Sequence, residues 1–437
     1  MDRLLTVERN GVAEQRAPWL VHANFVSDLA LGLEAGAVLE RWATQAPRKV
    51  WLLQAGDVLV SPVPVTQDFL AYALDLLGVP GGDVSVVHAP SRTGTAMADT
   101  LRHDGLLEML RGLVADRPGM ALLPTALDAS SVTLAADLGI AVEPYASAEL
   151  ATAALGVTSR LNTKVGFRHV ASELGIRVPR GRACGRDGLH DAVRAHLSTH
   201  GRVVVKPDRS AGGHGMTFVS VGDPWWLHLD QEGLGGADGA WVVEEWLDVA
   251  HSVSIQMQTD QQVVRSVFSG EMRMAGGAFT GYLSPLTGAA AGVEAELEQW
   301  GRSLGRYLAE RGYAGPFSID AVVGRDGSLV ATESNIRRTA TTTPQVMVTR
   351  LARAGGLGEA PAWLLGHRSA AVAYDFPAAV DRLNAAGIGW ASHKGEGVVL
   401  YADAPHDGRS WRYAIIGSRR ERLLQLEERL SDVMGFG

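Results

Sequence analysis

Residues 315–344 contain the feature that most restricts the fold of this chain, a predicted hairpin that carries carboxylates. The segments FSIDAVV and SLVATES flank the turn Gly324-Arg-Asp-Gly327. β-Branched and apolar residues on both sides of a short glycine-containing turn predict two paired strands. Pairing across the turn would place Asp320 near Glu333, and Asn335 would leave the same face of its strand as Glu333.

These three side chains would supply oxygen ligands of the kind that hard cations prefer. Mg²⁺ in particular is held by one or two carboxylates plus substrate phosphates. Arg337 and Arg338 follow directly and would offer permanently charged donors to a phosphoryl group beside the metal. The alternative is a surface hairpin with solvated charges, but three oxygen ligands in register with the arginines favour a nucleotide and metal site.

Composition describes an ordinary soluble protein of several domains. The chain has 437 residues, 46% of them hydrophobic and 20% charged. A net charge of −8 argues against nucleic-acid or anionic-membrane partners. Cys184 is the only cysteine, which excludes an internal disulfide. The first 19 residues are too charged for a signal peptide, and no apolar run of about 18 residues occurs, so we expect a cytoplasmic protein.

Residues 1–155 alternate short apolar segments with helical ones, which predicts a parallel sheet of Rossmann-like type. We expect strands at 49–54, 83–89 and 120–125, and a long helix over 98–116. The motif G-x-G-x-x-G is absent, so no dinucleotide site is predicted. Ligands of open α/β sheets bind at the carboxyl ends of strands, where the candidate polar residues are Asp57, Thr66, His88 and Ser91.

Two of the four lysines precede segments suited to phosphate binding. Lys164 begins an amphipathic helix that ends at Gly175, although a solvated helix lysine is the alternative. Lys206 ends a predicted strand and is followed by a loop containing Gly212, Gly213 and Gly215. Glycines allow backbone N–H groups to approach phosphates closely, and the strand-loop-strand arrangement differs from a P-loop, which opens a helix.

The order of these motifs, from Asn162-Thr-Lys164 through the glycine loop and a strand ending at Glu244 to D-x₁₂-E-x-N-x-R, resembles the ATP-grasp superfamily of carboxylate-amine ligases. The resemblance implies a multidomain α/β and α+β fold. A Rossmann-like pre-ATP-grasp domain would span 1–155. A two-lobed ATP-grasp domain would span 156–365, with its lid over about 176–243 and its metal-binding lobe over about 244–365, and a small α/β module would span 366–437.

The resemblance also implies roles for individual residues. Mg²⁺ would be bound by Asp320, Glu333 and Asn335. Arg337 and Arg338 would stabilise an acyl phosphate, because Ser318 stands where several members have an arginine; Arg273 would clamp the substrate carboxylate or be a surface arginine. ATP would be bound by Lys164, Lys206, Ser210, Gly212, Gly213, His214, Gly215, Met216, Glu244, Glu245, Trp246, Leu247 and His251, the last of which replaces a glutamate of many members.

The activity implied by this resemblance is ATP-dependent amide formation through an acyl phosphate, with ATP and Mg²⁺ as cofactors. The partners would be a small amino-acid-like carboxylate and an amine or peptide nucleophile, without nucleic acid or membrane. The sequence does not give the oligomeric state, but related ligases are often dimers, so a homodimer would fit the resemblance. The whole-chain layout also resembles pheganomycin-type bacterial peptide ligases, which implies a role in peptide natural-product biosynthesis. The alternatives are a biotin-carboxylase-like enzyme, which shares His251, and a non-catalytic ATP-binding regulatory protein.

Overall fold

The computed structural model describes residues 16–437 except 26, 28, 30–35, 93, 211, 225–238 and 358–360. Most of the charged N-terminal segment that argued against a signal peptide therefore lies outside the described residues. No described helix is long and apolar enough to cross a membrane. The described strands form three sheets of five, eight and four strands.

The N-terminal sheet is entirely parallel, as predicted, with strand order β3-β2-β1-β4-β5. Successive strands add on one side of β1 and then on the other, so a crevice opens between β1 and β4 at their carboxyl ends. The strands are β1 (Trp19–His22), β2 (Val58–Ser61), β3 (Ser85–His88), β4 (Ala121–Pro124) and β5 (Ala141–Val142).

Helices cover this sheet, and local sequence sets their ends. Thr66 accepts a hydrogen bond from the Phe69 N–H at the start of one helix, which ends at Gly78 with a φ of 65°. Asp128 caps another in the same way. The helices are α1 (Gly36–Ala43), α2 (Gln67–Leu77), α3 (Met97–His103), α4 (Leu106–Ala115), α5 (Ala129–Leu138) and α6 (Ala148–Leu161).

Two predictions for this region are wrong. Residues 49–54, predicted as a strand, lie largely in the 3-10 helix Ala46–Leu52. Pro47 occupies its first turn, where no backbone donor is needed, and an apolar run by itself does not separate a strand from a buried helix. The predicted helix over 98–116 is divided into α3 and α4 by Gly105, whose φ is 71°.

The four-stranded sheet has the order β6-β9-β7-β8 and is antiparallel. Helix α7 precedes it, and the Thr163 side chain caps that helix by accepting from the Gly166 N–H. Helix α8 packs its apolar face on the sheet through Leu189 and Val193. These elements are α7 (Lys164–Glu173), β6 (Gly181–Gly185), α8 (Arg186–His200), β7 (Arg202–Pro207), β8 (Thr217–Ser220) and β9 (Ala240–Glu245).

The largest sheet has the order β14-β13-β10-β11-β12-β15-β17-β16, with antiparallel neighbours throughout. Its first five strands are β10 (Val249–Thr259), β11 (Val264–Ala275), β12 (Ala278–Ser284), β13 (Gly315–Gly324) and β14 (Leu329–Asn335). The remaining strands are β15 (Ala362–Ser369), β16 (Gly397–Leu400) and β17 (Ser410–Gly417). Its helices are α9 (Glu294–Ala309), α10 (Thr342–Ala354), α11 (Phe376–Ala385) and α12 (Arg420–Met434).

The C-terminal strands continue this sheet, because β15 pairs with β12 on one side and β17 on the other. Strand β15 therefore runs across the predicted boundary between residues 365 and 366, and the domain boundaries stay predictions. Beyond β15, Ala370 makes an isolated bridge with Phe436, and the chain then bends toward α11.

Candidate functional site

A cavity of about 1060 Å³ opens between the three sheets. The N-terminal domain contributes Asn24 and Thr125 to its wall, the four-stranded sheet contributes Lys206, and the large sheet contributes Asp320 and Glu333. The cavity thus brings together residues that are distant in the sequence and belong to every part of the fold.

The N-terminal domain meets the cavity at the crevice between β1 and β4. Asn24 follows β1, and its Oδ1 accepts hydrogen bonds from the Thr125 N–H at 2.8 Å and the Ala126 N–H at 3.1 Å, just after β4. These residues line the cavity, whereas the four predicted polar residues at strand ends are not part of its wall. Asp57 instead forms a buried ion pair with Arg16 at 2.6 Å. The rule that ligands bind at the carboxyl ends of parallel strands therefore located the correct edge of the sheet, but it did not identify which residues at that edge line the cavity.

The carboxylate hairpin has the register that the sequence predicted. Asp320 pairs with Glu333, and Ser318 pairs with Asn335, with a bulge immediately after the first pair. The Asn335 Nδ2 donates to Asp320 Oδ2 at 3.1 Å, and the Ser254 hydroxyl donates to Asp320 Oδ1 at 2.7 Å. The predicted proximity of Asp320, Glu333 and Asn335 is confirmed, while metal binding by these residues stays a prediction.

The electrostatics of this cluster suit a cation. Burial, together with the neighbouring Glu333 carboxylate, raises the pKa of Asp320 to about 7. A divalent cation between the carboxylates would relieve both effects, and their oxygens are ligands that Mg²⁺ accepts. Asn335 would have to turn its amide, because its Oδ1 accepts from Arg337 at 2.6 Å. No cluster of three His, Cys, Asp or Glu side chains suited to a metal occurs in the described part of the chain.

The two arginines after the hairpin have different surroundings, although both line the cavity. The Arg337 guanidinium donates to the side-chain oxygens of Asn162 and Asn335, which holds it beside the carboxylates. Arg338 donates from its backbone N–H to Thr125 O at 3.0 Å and from its guanidinium to Pro124 O at 2.8 Å. Arg338 therefore joins the hairpin to the carboxyl end of β4.

Both predicted lysines point into charged surroundings in the cavity. Lys164 Nζ donates to Ser210 Oγ at 2.8 Å and lies 3.6 Å from Glu333 Oε2. Lys206 Nζ is 2.5 Å from the buried carboxylate of Glu244. Lys164 thus lies between the lid and the carboxylate hairpin, where the phosphates of a nucleotide would need positive charge.

The glycine loop has the backbone conformation that requires glycine. Gly212, Gly213 and Gly215 have φ values of 61°, 81° and 70°. A Cβ on Gly213 would lie 2.5 Å from Gly277 O, so the loop touches the turn between β11 and β12. Gly212, Gly213 and Met216 line the cavity, while His214 and Gly215 are not part of its wall.

An apolar wall follows the end of β9. The Trp246 ring lies 4.9 Å from the Phe218 ring, and the Arg202 guanidinium lies 4.7 Å from the centre of Trp246. Glu245 accepts a hydrogen bond from the Arg180 N–H at 2.7 Å. Flat, apolar surfaces of this kind accept a nucleobase. The apolar side chains of this wall are Val204, Met216, Phe218, Trp246, Leu247 and Val249.

His251 and Arg273 lie on the other face of their strands. Alternate residues of a strand point to opposite faces, and Ser252 and Met272 line the cavity. The His251 Nδ1 is 2.8 Å from Glu271 Oε1, and Arg273 forms an ion pair with Glu427 at 2.5 Å. Neither residue belongs to the cavity wall. These positions do not support the predicted contacts with ATP and the substrate carboxylate.

Some residues of the site were not predicted from the sequence. Ser254 and Gln256 alternate with apolar residues in the β10 segment SVSIQMQ, and this period of two was the signal that marked one polar face. Arg168 donates to Glu244 at 2.6 Å, and Asp208 accepts from the Val165 N–H at 2.8 Å. Neither of these contacts leaves a local pattern in the sequence.

Comparisons with known proteins agree with this architecture. A family model described as the pre ATP-grasp domain matches residues 46–140, and one described as the PGM1 C-terminal domain matches residues 378–430. Solved ATP-grasp structures superpose on nearly the whole length of the chain. The chain has the ATP-grasp fold. No curated protein sequence matches it.

Three solved structures illustrate the ATP-grasp similarity. Biotin carboxylase from Campylobacter jejuni, as its β,γ-ATP complex, gives a TM-score of 0.59 at 12% identity, covering 97% of this chain and 92% of its own. The biotin carboxylase domain of 2-oxoglutarate carboxylase from Hydrogenobacter thermophilus, with MgADP and bicarbonate, gives a TM-score of 0.58 at 13% identity. The match covers 97% of this chain and 91% of that one. Carboxyaminoimidazole ribonucleotide synthase from Aspergillus clavatus, complexed with ATP, gives a TM-score of 0.56 at 11% identity. The match covers 96% of this chain and 98% of that one.

Proposed function

We propose that this protein is an ATP-dependent ligase that joins an amino-acid-like carboxylate to an amine or peptide through an acyl phosphate. The observation that carries the proposal is the cavity in which Lys164, Lys206 and the glycine loop face the carboxylates of Asp320 and Glu333. Nucleotides with or without Mg²⁺ are bound in the similar structures from A. clavatus and H. thermophilus. ATP and Mg²⁺ are the cofactors in this proposal.

In this proposal each part of the site has a defined task. Lys164, Lys206 and the glycine loop bind the phosphates, and the wall around Trp246 accepts the adenine. Asp320 and Glu333, with Asn335 after its amide turns, hold Mg²⁺, which supplies positive charge to the phosphate oxygens.

The reaction then needs positioning rather than a protein nucleophile. A carboxylate oxygen of the acid attacks the γ-phosphorus, the bond to the bridging oxygen breaks, and ADP leaves. The amine attacks the carbonyl carbon of the acyl phosphate, loses a proton, and displaces phosphate. Arg337 faces the place where negative charge develops in both steps, and the closed lid keeps out the water that would hydrolyse the acyl phosphate.

The nucleotide product tests this proposal. Purified protein is incubated with Mg-ATP and a mixture of amino acids and short peptides, and the nucleotides are separated by chromatography. Substrate-dependent release of ADP and phosphate is expected. Release of AMP and pyrophosphate would mean adenylation of the acid and would contradict an acyl phosphate.

A carboxylation reaction is the second candidate, because the similar H. thermophilus structure contains bicarbonate. The same assay separates the two reactions: ADP release that needs bicarbonate and not an amino acid or peptide carboxylate would favour carboxylation. Binding of ATP without ADP release under any of these conditions would favour a regulatory ATP-binding protein.

A further inference from the structure

The part of the cavity wall built by the N-terminal domain and the C-terminal strands is exclusively cationic among its charged described residues. The acidic residues that line the cavity as a whole all lie after β8 in the sequence. They are Glu244, Glu245, Asp248, Asp320 and Glu333. The described residues that the N-terminal domain and the C-terminal strands contribute to this wall include Arg41, Arg48 and Arg412 and no carboxylate. Within the described ranges none of these three arginines forms an ion pair.

Arg48 is the most unusual of these cations. It is 3% exposed, and its Nε has no hydrogen-bond partner among the described residues. Its guanidinium carbon lies 5.4 Å from the centre of the Phe25 ring. Burial lowers the pKa of Arg48 to about 10, with the nearby Arg412 acting in the same direction and Tyr401 opposing it. A buried guanidinium with an unused donor is a ready partner for an oxyanion.

A second buried basic side chain lies close to Arg48, over the same Phe25 ring. Lys49 is 1% exposed and donates to the Thr343 hydroxyl at 3.0 Å. Burial, with Arg48 and Arg338 nearby, lowers the pKa of Lys49 well below its usual value. Like charges buried together destabilise one another unless an anion joins them.

We propose that Arg48 and Arg412 bind an oxyanion of the substrate, a carboxylate or a phosphate group, that does not itself react. This inference rests on the proposed ligase function, because the reacting carboxylate must lie beside the γ-phosphate and Arg337 on the other wall. The substrate class is therefore a molecule with a second anionic group that spans the cavity, such as a peptide with a free C-terminus or a phosphorylated amine.

Thermal unfolding of the full chain with Mg-AMPPNP present tests this subsite without turnover. Ligands that bind the folded state raise its unfolding temperature. The probes are tri-alanine, its C-terminal amide, and inorganic phosphate, at matched ionic strength. The variants are Arg48→Met, Arg412→Met and the surface control Arg302→Met, whose side chain pairs with Glu298 on α9.

We expect tri-alanine or phosphate to stabilise the wild type and Arg302→Met, with an apparent affinity at least about tenfold weaker in Arg48→Met and Arg412→Met. A response to tri-alanine but not to its amide identifies a carboxylate, and a response to phosphate alone identifies a phosphate group. Equal responses in all variants, or no response in the wild type, would overturn the subsite. A shift with AMPPNP alone reports nucleotide binding, and substrate-dependent ADP release from the same preparation reports ligase activity, so failure of the ligase proposal and failure of the subsite are distinguishable.

Discussion

The neighbouring carboxylates of Asp320 and Glu333 disfavour each other's negative charge. Burial disfavours the charged form of Asp320, and the Glu333 carboxylate adds like-charge repulsion. Hydrogen bonds from Ser254 and Asn335 stabilise the Asp320 carboxylate in part, and Lys164 at 3.6 Å offsets the charge of Glu333. An arrangement that destabilises the free protein in this way is suited to a site that binds a cation.

Replacing Glu333 tests the metal assignment. In Glu333→Gln one anionic ligand is lost while the shape of the side chain is kept, so we expect turnover to fall by about a hundredfold or more. The dependence on Mg²⁺ concentration should shift to higher values, as measured by ADP release. The matched control is Asp326→Asn in the turn of the same hairpin, whose carboxylate caps Ser328 and faces solvent. Full activity in Glu333→Gln would contradict the assignment.

The buried side chain of His22 is expected to make the folded protein less stable at acidic pH. Burial lowers the pKa of His22 to about 3, with Arg102 acting in the same direction. The unfolded chain, with a His pKa near 6.5, binds more protons than the folded chain between these values, so stability falls as the pH is lowered from about 6.5 toward 3.

We expect His22 to contribute a loss of up to about 1.4 kcal/mol per pH unit in that window. Urea unfolding at a series of pH values measures it, and His22→Gln should flatten the profile. The exposed His169, paired with Glu173, supplies the control His169→Gln, which should keep the wild-type slope. A slope unchanged in His22→Gln would show that the imidazole is already protonated in the folded protein.

The glycine loop after β7 lies in close contact with the turn between β11 and β12. Gly213 leaves no space for a Cβ against Gly277 O, whereas Gly212 faces open space. Both glycines have positive φ, so substitution of either one costs about 1 kcal/mol in backbone strain. Only at Gly213 would a side chain also push the glycine loop away from the turn between β11 and β12.

Comparing substitutions at Gly213 and Gly212 therefore distinguishes the effect of lost loop closure from the effect of backbone strain. We expect Gly213→Ala to raise the KM for ATP by about tenfold and to increase ADP release that is not coupled to product, because an open lid admits water. Gly212→Ala carries the same backbone strain and should change both quantities by a much smaller factor. Equal effects in the two variants would mean that the contact with Gly277 does not position the lid.

Elements fixed by local patterns were predictable from the sequence, and contacts between distant elements were not. The pairing of Asp320 with Glu333 followed from one turn and the two-residue period of strands. The same two-residue period places His251 and Ser254 on opposite faces of β10. Assigning Ser254 to the cavity face would therefore have placed His251 away from the cavity, but that assignment requires knowing which face of the sheet α9 covers. The bonds of Arg338 to Pro124 and Thr125 have no local signal at all.

At the scale of the whole molecule, the N-terminal domain and the C-terminal strands share one core. Trp51 and Phe69 of the N-terminal domain pack in the same buried cluster as Phe376 and Trp411. The rings of Phe69 and Phe376 lie 5.6 Å apart, edge to face. The Trp51 indole N–H also donates to Tyr401 O at 2.9 Å. Because the cationic wall of the cavity is built from these two regions, its geometry depends on their joint packing.

Removal of one shared aromatic ring should therefore destabilise both regions together. Phe376→Ala deletes a ring that is 3% exposed, and we expect a loss of about 3–5 kcal/mol. Calorimetry should show one unfolding transition at lower temperature, and hydrogen exchange should rise in β1 and β2 as much as in β16 and β17. Val372→Ala, at an exposed position close in sequence, is the control and should leave both measurements unchanged. Faster exchange confined to the C-terminal strands would mean that the N-terminal domain is stable by itself, and the cationic wall would then be an interface that can open.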